Sequence, residues 1–193
     1  MGSEREVVLL DANVLYPFQL RNLLVQLGVE GLIDVRWTDA IHEEWIGSLV
    51  AGGKVARERL LRTRDIMKRV LPRADVRGYE HRIGGLSLPD AADRHVLAAA
   101  IESQAMILTF NLRDFPPDTL AQFGLEAREP DGFLSELYDG DPEGVTAVVE
   151  AARLNLRVTA PTRADFFGSL ARQRLPSLVD RLRKAVSADN QPG

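Results

Sequence analysis

Four short apolar runs, residues 7–15, 33–37, 105–110 and 125–128, are separated by helix-period segments, and nothing else in this 193-residue chain restricts its fold as strongly. The first begins Val7-Val8-Leu9-Leu10 without polar alternation, the pattern of a strand buried on both faces. Residues 18–27, 38–50, 55–70 and 89–103 carry apolar side chains at helical spacing. Strands alternating with helices predict the α/β class, a parallel sheet covered by helices.

After Pro130 the pattern becomes helical throughout, over 132–138, 142–155, 163–172 and 175–186. Asp139-Gly140-Asp141-Pro142 and Thr159-Ala160-Pro161-Thr162 punctuate this part, with Asp141 and Thr162 placed as N-caps. The expected organisation is an α/β domain over 1–130 and a small helical extension over 131–193. Residues 187–193 are expected to fray.

Composition removes several chemistries. The absence of Cys excludes disulfides, thiolate zinc sites and cysteine nucleophiles. No apolar run approaches the roughly 18 residues that span a bilayer, and Met1-Gly2-Ser3-Glu4-Arg5-Glu6 has no signal-peptide core, so a cytoplasmic location is expected. The net charge of −4 conceals a division: residues 1–150 hold 16 Lys and Arg against 25 Asp and Glu, and residues 151–193 hold 8 against 3. A second basic segment, Lys54 to Arg73, includes Arg57, Arg62 and Lys68, a surface suited either to solvent or to phosphate contact.

Acids at strand ends carry the functional signal. Asp11 follows the first apolar run, at the carboxyl edge where open parallel sheets bind ligands, and Asp also serves there as a helix cap. A lone buried carboxylate is costly unless something pairs with it. In Leu88-Pro89-Asp90-Ala91-Ala92-Asp93-Arg94-His95-Val96-Leu97, Asp90 suits a cap, whereas Asp93 lies above the stripe of Val96, Leu97, Ala100 and Ile101 and is aimed at the rim of the core. His95 is expected to point to the surface. Thr109-Phe110-Asn111-Leu112-Arg113-Asp114 places Asp114 beyond a third strand, in a segment that also reads as an ordinary turn. On the helix capped by Thr38 or Asp39, the stripe of Ile41, Trp45 and Leu49 favours Glu44 over Glu43 as the inward acid and sends His42 outward. Gly52-Gly53-Lys54 lacks the glycine spacing of a phosphate loop and reads as a turn.

Carboxylates brought together repel, and one takes up a proton unless a cation neutralises them. Where Asp11, Glu44, Asp93 and Asp114 converge, oxygen donors without Cys select Mg²⁺ or Mn²⁺, and such an ion supports phosphodiester hydrolysis. On this reading the ion compensates the buried Asp11.

Asp11-Ala12-Asn13-Val14-Leu15, Glu44, Asp93-Arg94-His95-Val96-Leu97-Ala98-Ala99-Ala100 and Thr109-Phe110-Asn111-Leu112-Arg113-Asp114-Phe115 resemble, in order, the acidic motifs of PIN-domain nucleases over residues 5–130. The helical extension is similar to that of a subgroup of VapC-type toxins. The resemblance implies a Mg²⁺- or Mn²⁺-dependent endoribonuclease leaving a 5′-phosphate and a 3′-hydroxyl, an RNA substrate, a VapB-like antitoxin partner and a homodimer. It assigns supporting polar roles to Asp90, Asn13, Thr109 and Asn111. Glu43 beside Glu44 leaves the register of the second acid open by one residue. Two other readings compete: an aspartyl-phosphate phosphatase with Asp11 as nucleophile, which resembles Asp-x-Asp where this chain has Asn13, and a non-catalytic RNA-binding module on the same scaffold.

Overall fold

The structure is a computed structural model that describes residues 5–53 and 55–189. Lys54 of the basic segment, the first four residues and the final four of the expected frayed end lie outside the described residues. Four parallel strands, β1 (Val7–Leu10), β2 (Asp34–Arg36), β3 (Met106–Leu108) and β4 (Ala127–Arg128), form one sheet in the order β2-β1-β3-β4. In register, Val8 faces Val35 on one side and Met106 on the other, and Leu108 faces Arg128. The central position of β1 explains its unbroken apolar sequence, because Val8, Leu9 and Leu10 have no exposed surface.

The first strand is shorter than its apolar run. Asp11 Oδ1 accepts from the Ala12 amide at 2.6 Å, so the chain turns at once into α1 (Ala12–Leu15). The hydrophobicity of Val14 and Leu15 serves helix packing, not strand extension. α2 (Phe18–Val29) lies against β2, and α3 (Asp39–Ala51) packs on α1 and on α4 (Arg57–Val70). Thr38 caps α3 by accepting from the Ile41 amide at 3.1 Å. The helix expected from residue 89 instead opens as a 3₁₀ turn, Ala91–Asp93, and becomes α5 (Arg94–Ser103), which covers β1 and β3. A short helix α6 (Pro117–Ala121) precedes β4.

The expected helical extension is present as α7 (Pro130–Gly140), α8 (Pro142–Leu154), α9 (Arg163–Arg172) and α10 (Pro176–Asp189). Asp141 and Thr162 cap α8 and α9, the latter through a reciprocal box with Asp165. The extension shares the core of the α/β part: α8 and α9 pack on α2, and Asn22 Nδ2 donates to the Ala152 carbonyl at 2.8 Å. No helix among the described residues is long and apolar enough to cross a membrane.

Candidate active site

The carboxyl ends of β1 and β3 meet because the Asp11 amide donates to the Leu108 carbonyl at 3.1 Å. Here the chain order reverses from β1 to β3, the crevice where open parallel sheets bind ligands. Asp11 is 4% exposed, and its second carboxylate oxygen accepts from Asn13 Nδ2 at 2.6 Å and from Thr109 Oγ1 at 2.7 Å. The cost of burying Asp11 is thus met in the first instance by three protein donors, the Ala12 amide of the helix-cap reading and the Asn13 and Thr109 side chains, whereas the sequence reading assigned the compensation to a cation. Burial still raises its pKa; Thr109 and the Ala12 amide oppose the rise, and the charge of Glu44 adds to it.

Asn13 and Thr109 extend this arrangement into the loop after β3. Asn13 Nδ2 also donates to Thr109 Oγ1 at 2.9 Å, and Asn13 Oδ1 accepts from the Phe110 amide at 3.0 Å. Thr109 Oγ1 accepts from the Asn111 amide at 3.0 Å, and the Asn111 side chain donates to Asp114. One polar network therefore runs from Asp11 to Asp114.

Asp93, half-buried beside this network, has its carboxyl pushed up to about 7, first by burial and then by the charges of Asp11, Asp114, Asp90 and Glu44. The four acids picked from the sequence lie within one electrostatic neighbourhood. Asp90 caps the 3₁₀ turn that carries Asp93, accepting from the Ala92 amide at 2.8 Å. Glu44 lines a cleft of about 320 Å³ with Ala12, Asn13, Tyr16, Trp45 and Ser48. Glu43 is turned away onto Arg57 and Arg64 of α4.

Among the described residues no three His, Asp or Glu side chains form a group that could hold a metal ion. The acids are engaged with local partners, Asp11 with Asn13 and Thr109, Asp114 with Asn111, and Glu44 with His95 at 3.6 Å. The donor set itself, carboxylates with amide and hydroxyl oxygens, is chemically suited to a hard divalent cation.

Both histidine expectations are corrected. His95 Nε2 lies 3.6 Å from Glu44 Oε2, and its Nδ1 is buried without a partner. His95 meets Glu44 of α3, a neighbour that the projection of a single helix does not reveal. His42 has no exposed surface, because α3 is covered by α4 as well as by the core. It accepts from Trp45 Nε1 at 3.0 Å, and burial holds its imidazole down at about 4, hence neutral.

The basic helix is largely engaged within the protein. Arg57 pairs with Glu43, and Lys68 Nζ sits 2.6 Å from Asp39 and 3.1 Å from Asp75. Arg62 is exposed and makes no ion pair among the described residues. The sequence reading missed Arg21, which is 5% exposed, donates to the Leu15 and Tyr16 carbonyls and lies 4.5 Å over the Trp45 ring. Burial lowers its pKa to about 10, so it remains cationic at neutral pH. Its place three residues before Leu24 on the buried face of α2 was the available signal. Also missed was Arg174, which lies 4.3 Å over the Phe110 ring.

Comparison with known proteins agrees with this architecture. Residues 130–184 match the family of the VapC50 C-terminal domain. A protein of Mycobacterium tuberculosis described as "Putative ribonuclease VapC50" is 45% identical over 58 residues, which make up 30% of this chain and 34% of that relative. The aligned stretch thus spans about a third of the relative's length. No solved structure matches the chain. The chain is an α/β domain built on a four-stranded parallel sheet, followed by a helical extension whose residues 130–184 match the family of the VapC50 C-terminal domain.

Proposed function

We propose that the protein is a divalent-metal-dependent endoribonuclease and the toxin of a VapBC-type pair, acting in the cytoplasm. The observation that carries this reading is the hydrogen-bonded network from Asp11 through Asn13, Thr109 and Asn111 to Asp114 at the strand ends, beside Asp93, whose carboxyl is raised first by burial and then by the charges of Asp11, Asp114, Asp90 and Glu44. Such repulsion at a strand-end crevice is relieved by a cation, and the ribonuclease description of the mycobacterial relative supplies the substrate class. We assign 1–130 to the nuclease domain and 131–193 to the helical extension.

Asp11, Glu44, Asp93 and Asp114 would hold Mg²⁺ or Mn²⁺. When bound, the cation polarises the phosphoryl group and activates water for hydrolysis. The chain's own groups prepare the place: Asn13 and Thr109 orient Asp11, Asn111 orients Asp114, and Asp90 fixes the turn bearing Asp93. Arg62, like Arg59 and Arg69, is exposed without an ion pair among the described residues and is left available for phosphate, whereas Arg57 and Lys68 contribute only if their internal pairs open. A VapB-like antitoxin and a homodimer follow from the likeness to VapC toxins.

The test is incubation of the purified chain with total cellular RNA, with Mn²⁺ or with EDTA, followed by mapping of the ends. Cleavage lost with EDTA and with Asp11→Asn, leaving 5′-phosphates, is expected. RNA binding without cleavage under all conditions would favour the non-catalytic module.

A further inference from the structure

The turn between α9 and α10, Gln173-Arg174-Leu175, reaches Phe110 in the loop after β3 from the helical extension. Gln173 Oε1 accepts from the Leu20 amide at 2.9 Å, and its Nε2 donates to Gln19 Oε1 at 2.7 Å, fixing the turn to the start of α2. Leu175 is fully buried. Between these two anchors Arg174 takes a left-handed backbone with φ 67°, unfavourable for a side-chain-bearing residue. Its guanidinium lies 4.3 Å over the Phe110 ring, and Glu129 Oε1 accepts from the same group at 3.0 Å. Phe110 is the residue whose amide is held by Asn13, and Asn13 in turn holds Asp11.

We propose that Arg174 is a positioning residue, acting through Phe110 to hold the loop after β3, with Thr109, Asn111 and Asp114, in register with Asp11. The helical extension thereby has a role at the acidic site as well as in the core: it supplies the outer face of the Phe110 ring with a cation that two fixed neighbours and Glu129 hold in place. The activity arm of this inference rests on the nuclease reading; the structural arm does not.

The experiment compares Arg174→Ala, Arg174→Lys and, as a control for lost charge, Arg157→Ala on the exposed stretch after α8, in the full chain. Amide hydrogen exchange of Phe110 is measured by NMR without metal, alongside the melting temperature and RNA cleavage in Mn²⁺. For an exposed cation–π contact the expected effect is an acceleration of Phe110 exchange by about two- to fivefold in Arg174→Ala, partly recovered in Arg174→Lys, with exchange in the core of β1 unchanged. The turnover number falls by a similar factor at unchanged KM, and Arg157→Ala moves neither. Unaltered Phe110 exchange in Arg174→Ala, or an equal effect from Arg157→Ala, overturns the proposal. Faster exchange in a protein whose wild type cuts no RNA upholds the positioning role and removes the nuclease reading alone.

Discussion

Thr109 donates its hydroxyl to Asp11 Oδ2 at 2.7 Å across 98 residues of chain, tying the ends of the two central strands together by a charge-assisted bond with no exposure at Thr109. Thr109→Val keeps the shape and removes the donor. A buried hydrogen bond to a charged group contributes about 1.5–3 kcal/mol, so the urea midpoint of the variant should fall accordingly. Metal-dependent cleavage should fall with it. A midpoint equal to wild type would mean that the hydroxyl does not stabilise the Asp11 carboxylate.

The adjacent acids of α3 separate by partner. Glu44 faces the cleft and the acid neighbourhood, whereas Glu43 binds Arg57 and Arg64 at the surface. Partners one shell away from a metal typically cost 10- to 100-fold, and a direct ligand should reach the upper end, so Glu44→Gln is expected to lose about 100-fold or more in cleavage rate. Glu43→Gln should change the rate less than about threefold and stability by under 1 kcal/mol. A larger kinetic loss at Glu43 would shift the register of the second acid by one.

Much of this arrangement could be read from sequence because it depends on local periodicity. The parallel sheet followed from apolar runs of strand length between helical patterns, and the caps at Asp141 and Thr162, and at Thr38 as one of two candidates with Asp39, followed from side chains that compete for helix N–H groups. What escaped was set by contacts between distant segments. His42 became buried because α4 covers α3 on a face that a single-helix projection leaves open. His95 was misplaced because its neighbour Glu44 comes from α3, about fifty residues earlier in the chain. The pairing of Lys68 with Asp39, and of Arg174 with Phe110, joins residues far apart in the chain that no spacing rule connects.

That internal pairing divides the basic helix into two kinds of cation. Lys68 joins α4 to Asp39 and to Asp75, whose other oxygen accepts from Trp37 Nε1 at 2.8 Å. Lys68→Ala should therefore cost about 1 kcal/mol in stability, the scale of a partly solvated ion pair, and leave the salt dependence of RNA binding nearly unchanged. Arg62→Ala should leave stability unchanged and reduce the slope of log affinity against log salt by about 1 if the side chain meets a phosphate. Fluorescence anisotropy across a salt series separates the two, and identical slopes for wild type and Arg62→Ala would return this helix to the solvent.

The raised carboxyl of Asp93 has a consequence for the metal-free protein. In the unfolded chain it ionises near its ordinary 3.8, whereas in the folded state it holds its proton up to about 7. Between these values the native state binds the additional proton, so stability falls as pH rises through the window and levels off above it. Asp11 is raised in the same sense, so Asp93→Asn should shrink the slope without abolishing it and should make the metal-free variant more stable than wild type at pH 8. Removing the charge also removes a ligand: Mn²⁺ at pH 8 should raise the melting temperature of wild type and have little effect on Asp93→Asn. Melting curves from pH 4 to 8, in EDTA and in Mn²⁺, check both halves. If the two proteins show the same pH slope in EDTA, the carboxylates do not repel one another as their placement requires, and the electrostatic basis for a cation at this crevice is lost.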